Sequence, residues 1–420
     1  MSAWEAPFLG AGQRLDASVE VPASKSLTNR YLVLQYLSNT KRSLHNVLDS
    51  RDTFLMRSAL DTLSAPSNQA TIDVGLAGTV MRFVPVLAAL TNKSVRFDGD
   101  EQAKLRPMGP MLDALEQLGV EIIRENRDFL PFTVVGKGEI QGGRVEIDAS
   151  ASSQFVSGLL LAAAKFTNGV EIVHIGETVP SLPHIEMTLH CLKQAGVTCR
   201  MSSTSTSSWI VEPGEIQLPE LTVEPDLSNA GPFLCAALAN PGGGVVRVSN
   251  WPSSTTQPGA FFKDVLREFG ASTAFSEQKS LLTVQSDGTI RGVDLDLKAA
   301  GEIAPTVAAL CTLTSEESYL RGIGHLRGHE TDRLAAIITE ARRVGRHCEI
   351  LADGSGLHFP HQENLKLVPA TIESYNDHRL ATFGAVLGLR IANTRVQNVE
   401  TTAKTMPNFV EMWHQMLKVG

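Results

Sequence analysis

Cysteine is scarce and unpatterned. Five cysteines (Cys191, Cys199, Cys235, Cys311, Cys348) form no CxxC pair and are odd in number, which excludes a zinc ribbon and a closed disulfide framework. They are expected to be reduced and buried. Long apolar runs are absent too: the longest, 84–90 and 155–164, stop well short of the ~20 residues a membrane span needs, so no membrane partner is expected. Positive charge is in deficit, with a formal net charge of −8, and nucleic acid is therefore not expected as a partner. The opening Met1-Ser2-Ala3-Trp4-Glu5 lacks the basic start and apolar run of a secretory leader, so a cytoplasmic location is expected.

Common cofactor motifs are missing as well. There is no G-x-x-x-x-G-K-[ST], and Gly322-Ile-Gly324 is followed by His325-Leu326-Arg327-Gly328, which breaks the dinucleotide spacing. His329-Glu330-Thr331-Asp332-Arg333 ends in Arg where a zinc protease needs its second His. His358 and His361 near Cys348 read as solvated loop residues, and no metal site is expected there.

What is present is a repeat. A polar or small cluster followed by an Ala/Leu-rich helix signal recurs near Lys25, Thr79, Ser152, Ser228, Glu302 and His378, at spacings of 54, 73, 76, 74 and 76. A second, amphipathic helix signal follows each, near Asp52, Pro107, His184, Pro258, Thr331 and Pro407, after 27, 28, 32, 30, 29 and 29 residues. Both markers keep one phase. Gly119, Gly196, Gly270 and Gly345 follow second helices as left-handed stops. Short alternating segments, such as 197–200 with 208–211 and 348–351 with 356–359, predict hairpins. Each repeat is thus about β-α-β-α-β-β, three per half, with the boundary near 220–226 and a first repeat that lacks its final hairpin. A chain of 420 residues also suits two domains of about 200 residues each.

Function is argued from where the cations fall. Helix N-termini carry unpaired N–H groups and partial positive charge, which suits anions. Lys25, Ser26 and Arg30 lie on the first helix; Gly78, Thr79 and Arg82 on that of the second repeat; Ser152, Ser153 and Gln154 on that of the third. Glu330 and Arg333 open the second helix of repeat five, His378 and Arg379 the first helix of repeat six. Arg106 and Lys404 precede second helices. An acidic chain that gathers cations at equivalent ends of its repeats predicts a positive cleft for phosphate and carboxylate.

Seven collinear motifs then resemble the 5-enolpyruvylshikimate-3-phosphate synthase family over nearly the whole chain. They are Pro22-Ala23-Ser24-Lys25-Ser26 with Arg30, Ala77-Gly78-Thr79-Val80-Met81-Arg82, Leu105-Arg106-Pro107-Met108, Ser152-Ser153-Gln154, His329-Glu330-Thr331-Asp332-Arg333, Tyr375-Asn376-Asp377-His378-Arg379 and Thr402-Ala403-Lys404-Thr405. The resemblance implies an α/β fold of two lobes, each of three β-α-β-α-β-β repeats in an inside-out α/β barrel, with 17–223 in one lobe and 1–16 plus 224–420 in the other. It implies an active site in the interlobe cleft that closes on binding. It also implies transfer of the enolpyruvyl group of phosphoenolpyruvate to shikimate 3-phosphate, without metal or organic cofactor, by a monomer.

By the same resemblance Ser26, Arg30, Ser152, Ser153 and Ser181 hold shikimate 3-phosphate. Arg106, Gln154, Arg333, Arg379 and Lys404 hold phosphoenolpyruvate, with Lys25 touching both and Gly78 leaving room beside the phosphate, which implies sensitivity to glyphosate. Glu302 is the base at the 5-hydroxyl, and Glu330, alone or with Lys25, serves the proton at carbon 3 of the enol; His329 joins the substrate-binding set.

Leu76, His184, Glu302, His325 and His329 depart from the family's commonest Asn, Tyr, Asp, Asn and Lys. Glu302 as a salt-bridged structural residue stays open, and His329 in place of Lys predicts a pH dependence between 6 and 8, since an unperturbed imidazole titrates near ~6.5. Two rivals remain. A UDP-N-acetylglucosamine enolpyruvyl transferase generally carries a Cys in the loop that corresponds to 98–110, which here has none. A non-catalytic anion or RNA-end binding module has no need of Glu302 and Glu330 beside the cations.

Overall fold

The six Ala/Leu-rich segments are all helical in the computed structural model, which describes residues 3–125, 127–176, 179, 181–202, 207–328 and 330–419. Their helices are Lys25–Leu37, Gly78–Ala89, Gln154–Ala162, Leu227–Ala239, Ala304–Leu313 and His378–Gly388. The second helices are Arg51–Ser64, Gly109–Gln117, Leu182–Gln194, Phe262–Glu268, Arg333–Arg343 and Phe409–Leu417. Gly119, Gly196, Gly270 and Gly345 follow four of these with φ of +83°, +77°, +103° and +95°, conformations that cost a glycine little.

Two units divide the chain: Ala23–Val223, and Met1–Pro22 with Glu224–Gly420. In the first, strands Gln69–Asp73 and Ser94–Asp98 pair in parallel around helix Gly78–Ala89, and the hairpin Glu121–Ile123/Phe132–Val135 adds antiparallel on Ser94–Asp98. The next repeat copies this with Gly143–Ile147, Val170–His174, Cys199–Met201 and Ser208–Val211. The first repeat has no hairpin of its own. Its strand Leu44–His45 pairs in parallel with Leu221–Thr222 from the far end of the unit.

The second unit closes in the same way. Leu15–Val19 pairs in parallel with Gly244–Val248, supplying the strand that the fourth repeat lacks. The expected junction at 16/17 therefore falls inside a strand, and the segment through Pro22 folds with residues 224–420. Trp4–Glu5 joins Arg395–Gln397 antiparallel and completes the last sheet.

The first helices of the repeats are buried along most of their length because they pack on one another inside each unit: Lys25–Leu37, half-buried only at its two ends, Gly78–Ala89 and Gln154–Ala162 in one, Leu227–Ala239, Ala304–Leu313 and His378–Gly388 in the other. A helix apolar all round belongs in such a position. The amphipathic second helices lie outside. Every residue of Leu227–Ala239 and of Ala304–Leu313 is buried, so only the ends of these inner helices can present polar groups. Among the described residues no helix is long and apolar enough to cross a membrane.

Candidate functional site

In unit Ala23–Val223 the helix starts carry the expected residues. Ser24 caps Lys25–Leu37 by accepting from the Leu27 amide. Lys25 Nζ donates to Asp52 Oδ2 at 2.9 Å, and Asp52 lies in the first turn of Arg51–Ser64, where a carboxylate is also favoured by the helix dipole. Arg30 is buried at 1% exposure, with Nε donating to Thr188 Oγ1 (2.8 Å), Nη1 to the Ser26 carbonyl (2.9 Å) and Nη2 to the His184 carbonyl (3.0 Å). It fastens helix Lys25–Leu37 to Leu182–Gln194, a structural duty that the motif did not disclose. Ser181 stands at the N-cap of that second helix in the left-handed region, φ +53°.

Gly78 is the centre of a group of cationic and amide side chains. A Cβ placed on it would lie 3.1 Å from Arg106 Nη2, 3.1 Å from Arg82 Nη1 and 3.2 Å from Gln154 Oε1, so three expected residues and Arg82 meet there. Asn29 Nδ2 donates to Thr79 Oγ1 at 2.6 Å and locks the first turn of this helix to the first repeat. Arg106 holds the Leu76 carbonyl (3.3 Å). Ser152 Oγ accepts from the Gln154 amide (3.3 Å), and Ser153 is the N-cap residue of Gln154–Ala162.

Sequence reasoning placed Arg82 at a helix start but assigned it no ligand. Its Nε is buried without a hydrogen-bond partner, Nη1 reaches only the Gly78 carbonyl (3.4 Å) and Met81 Sδ (3.7 Å), and the guanidinium lies over the Phe155 ring. No carboxylate pairs with it among the described residues. Burial first, and the charge of Arg106 second, hold its guanidinium well below the ordinary arginine range. Such a cation lacks an anion.

The second group lies in the other unit. Arg333, first residue of Arg333–Arg343, donates through Nε to Asp377 Oδ2 (2.7 Å) and through Nη2 to Oδ1 (3.2 Å); the two side chains are 4% and 0% exposed. Burial pulls the Arg333 guanidinium down, but Asp377, with Glu330 and Glu302 behind it, makes the net shift upward. Asp377 also caps helix His378–Gly388 by accepting from the Arg379 amide (2.9 Å). Lys404 Nζ donates to Glu330 Oε2 (3.2 Å), and His378 Nδ1 lies 3.4 Å from the same oxygen. Burial lowers the His378 imidazole against the opposing pull of Glu330. Glu302 accepts from the Ser228 hydroxyl and lies 3.8 Å from Arg379 Nη2. Glu302, Glu330, Arg333, Arg379 and Lys404 are thus linked through Asp377 and His378, two residues that their place in a recognised motif left without a role.

Glu330, Asp377 and His378 are residue types that a metal accepts and their ligand atoms lie within 4.8 Å of one another. Asp377 is already held by Arg333, and Lys404 bonds Glu330, so a further cation would meet positive charge. His329 lies outside the described residues.

The model of the EPSP synthase (3-phosphoshikimate 1-carboxyvinyltransferase) family matches residues 9–413. A 3-phosphoshikimate 1-carboxyvinyltransferase of Kocuria rhizophila is 48% identical, covering 99% of this chain and 96% of that protein. One of Bifidobacterium longum is 46% identical, covering 99% and 98%. In fold, EPSP synthase from Acinetobacter baumannii superposes with a TM-score of 0.79 at 18% identity, covering 99% of this chain and 98% of that one. The enolpyruvyl transferase NikO from Streptomyces tendae does so at 0.73 and 13% identity, covering 99% and 97%. On the near full-length match and the identity to both relatives, the chain belongs to the EPSP synthase family.

Proposed function

We propose that the chain transfers the enolpyruvyl group of phosphoenolpyruvate to the 5-hydroxyl of shikimate 3-phosphate, releasing phosphate, as a 3-phosphoshikimate 1-carboxyvinyltransferase of the shikimate pathway. The observation that carries the reading is Arg82 beside Arg106 and Gln154 around Gly78, with no carboxylate on Arg82 among the described residues: a buried cationic group that an anionic substrate completes. Shikimate 3-phosphate takes Ser26, Arg30, Ser152, Ser153 and Ser181. Phosphoenolpyruvate takes Arg106, Gln154, Arg333, Arg379 and Lys404, with Lys25 serving both and His329 assisting. We assign the work to a cytoplasmic monomer.

Chemically, Glu302 accepts the proton of the 5-hydroxyl as its oxygen bonds to carbon 2 of the enol, and Glu330 delivers a proton to carbon 3. The tetrahedral adduct then loses from carbon 2 its phosphate, which takes the proton held by Glu302, while carbon 3 returns a proton to Glu330 and the double bond is restored. Fixed cations stabilise the charge that builds on the departing phosphate. Glu302 is oriented by Ser228 and Glu330 by Lys404, so both carboxylates have a fixed direction before substrate arrives.

A phosphate-release assay tests this. Release is expected only with both phosphorylated substrates present, and loss of about 10²–10⁴ in turnover is expected for Glu302→Ala and for Lys25→Ala in folded protein. Release from phosphoenolpyruvate with UDP-N-acetylglucosamine in place of shikimate 3-phosphate would overturn the assignment.

A further inference from the structure

Tyr375 and Asn376, adjacent residues that both carry side chains, occupy the left-handed region at φ +53° and +55°. The left-handed region disfavours a residue such as Tyr by about tenfold, and an Asn less, so the pair persists where the surroundings hold Tyr375. They join strand Thr371–Glu373 to Asp377, the cap of helix His378–Gly388, and so determine where Asp377 and Arg379 stand.

The holding contacts come from another helix. Tyr375 Oη donates to Glu340 Oε1 at 2.7 Å. Glu340 is fully buried, and its Oε2 accepts from the Glu373 amide (3.3 Å) and pairs with Arg343 Nε (3.0 Å). Burial pushes the Glu340 carboxyl up, while burial and Glu340 together push the Tyr375 phenol up to about 12, so the hydroxyl keeps its proton for this bond. Glu340 follows Arg333 by seven residues on helix Arg333–Arg343, about two turns, which puts both on one face. That face grips the turn twice: Arg333 on Asp377 and Glu340 on Tyr375. Between these grips the Asn376 carbonyl accepts from Lys404 Nζ (3.4 Å), and Asn376 Oδ1 from Asn398 Nδ2 (2.6 Å).

We propose that Tyr375 and Glu340 are positioning residues for phosphoenolpyruvate binding, acting by locking the left-handed turn that sets Asp377, Arg379 and Lys404 in place. The inference rests on the reading above that Arg333, Arg379 and Lys404 hold that substrate. Neither residue need touch the substrate. What they control is the register between the start of one helix, with Arg333, and the start of another, with Arg379.

Tyr375→Phe keeps the ring and removes the bond. KM for phosphoenolpyruvate is expected to rise about tenfold, with KM for shikimate 3-phosphate within about twofold of the parent, on the loss of one charged hydrogen bond. Glu340→Gln keeps an acceptor oxygen and is expected to raise it less; it also supplies the reading if Tyr375→Phe does not fold. The double variant is expected to be no worse than Tyr375→Phe, because the bond is already gone. An unchanged KM for phosphoenolpyruvate, an equal rise for both substrates, or additive effects in the double variant would overturn the proposal. Should the parent protein itself show no turnover, the functional reading fails, and this inference is then judged on amide hydrogen exchange at 374–379. Faster exchange in Tyr375→Phe supports it and equal exchange overturns it.

Discussion

Arg333 and Asp377 form a bidentate pair, 2.7 and 3.2 Å, with both side chains almost wholly out of water. Removing one partner of a buried pair strands the other charge, at a cost of about 3–5 kcal/mol. Asp377→Asn keeps the helix-capping oxygen but drops the charge, so it isolates the pair. Denaturant unfolding of this variant is expected to show a loss of about 3 kcal/mol or more, with catalytic turnover falling at least tenfold in protein that remains folded. A stability within about 0.5 kcal/mol of the parent would mean that the pair contributes little.

Gly78 gives a contrasting case, because its surroundings are the far ends of side chains. A methyl there meets Arg106, Arg82 and Gln154 at 3.1–3.2 Å, each able to yield by a few tenths of an ångström. Gly78→Ala is therefore expected to fold with an unfolding free energy within about 1 kcal/mol of the parent. The space beside the cations shrinks, so KM for phosphoenolpyruvate should rise by about tenfold and glyphosate should inhibit less than in the parent. Steady-state kinetics with and without glyphosate decide it, and unchanged inhibition would show that this methyl does not reach the occupied space.

Much of this architecture is legible along the chain because both helix signals of each repeat are local. The Ala/Leu run of Leu227–Ala239 and the Gly270 stop each report their own few residues, and they keep phase with their counterparts. What is not legible is pairing at long range. Nothing in 221–222 announces that it completes a sheet with Leu44–His45, and nothing in Leu15–Val19 names Gly244–Val248 as its neighbour. The site divides along the same line: cations at helix starts can be read from motif position, whereas the missing counter-ion of Arg82 and the grip of Glu340 on Tyr375 exist only once separate repeats are packed.

Ser228 supplies a test of the longer side chain at position 302. Its hydroxyl, 2% exposed at the start of helix Leu227–Ala239, donates to Glu302 Oε1 and fixes a carboxylate with one more methylene, and so one more rotor, than aspartate has. Ser228→Ala is expected to lower kcat by about fivefold to tenfold with both KM values within about twofold, and Ser228→Thr to restore most of it. Loss confined to KM would place Ser228 in substrate binding instead.

Asp226 extends the argument to pH. It caps the same helix through the Ser228 and Asn229 amides at 3.1 and 3.0 Å, yet it is buried, and its carboxyl is raised above the ordinary value of 3.8 by burial first, against the pull of Arg379 and with the push of Glu302. A carboxyl raised on folding binds its proton more tightly in the native state than in the unfolded chain, so its contribution to stability is full below 3.8 and is lost as pH climbs through the raised value. Asn keeps the capping oxygen and does not titrate. Asp226→Asn and the parent are therefore expected to differ least near pH 4, with the variant gaining relative stability from there towards neutrality; a difference in unfolding free energy that stays flat across that window would mean that Asp226 carries its charge in the folded protein without penalty.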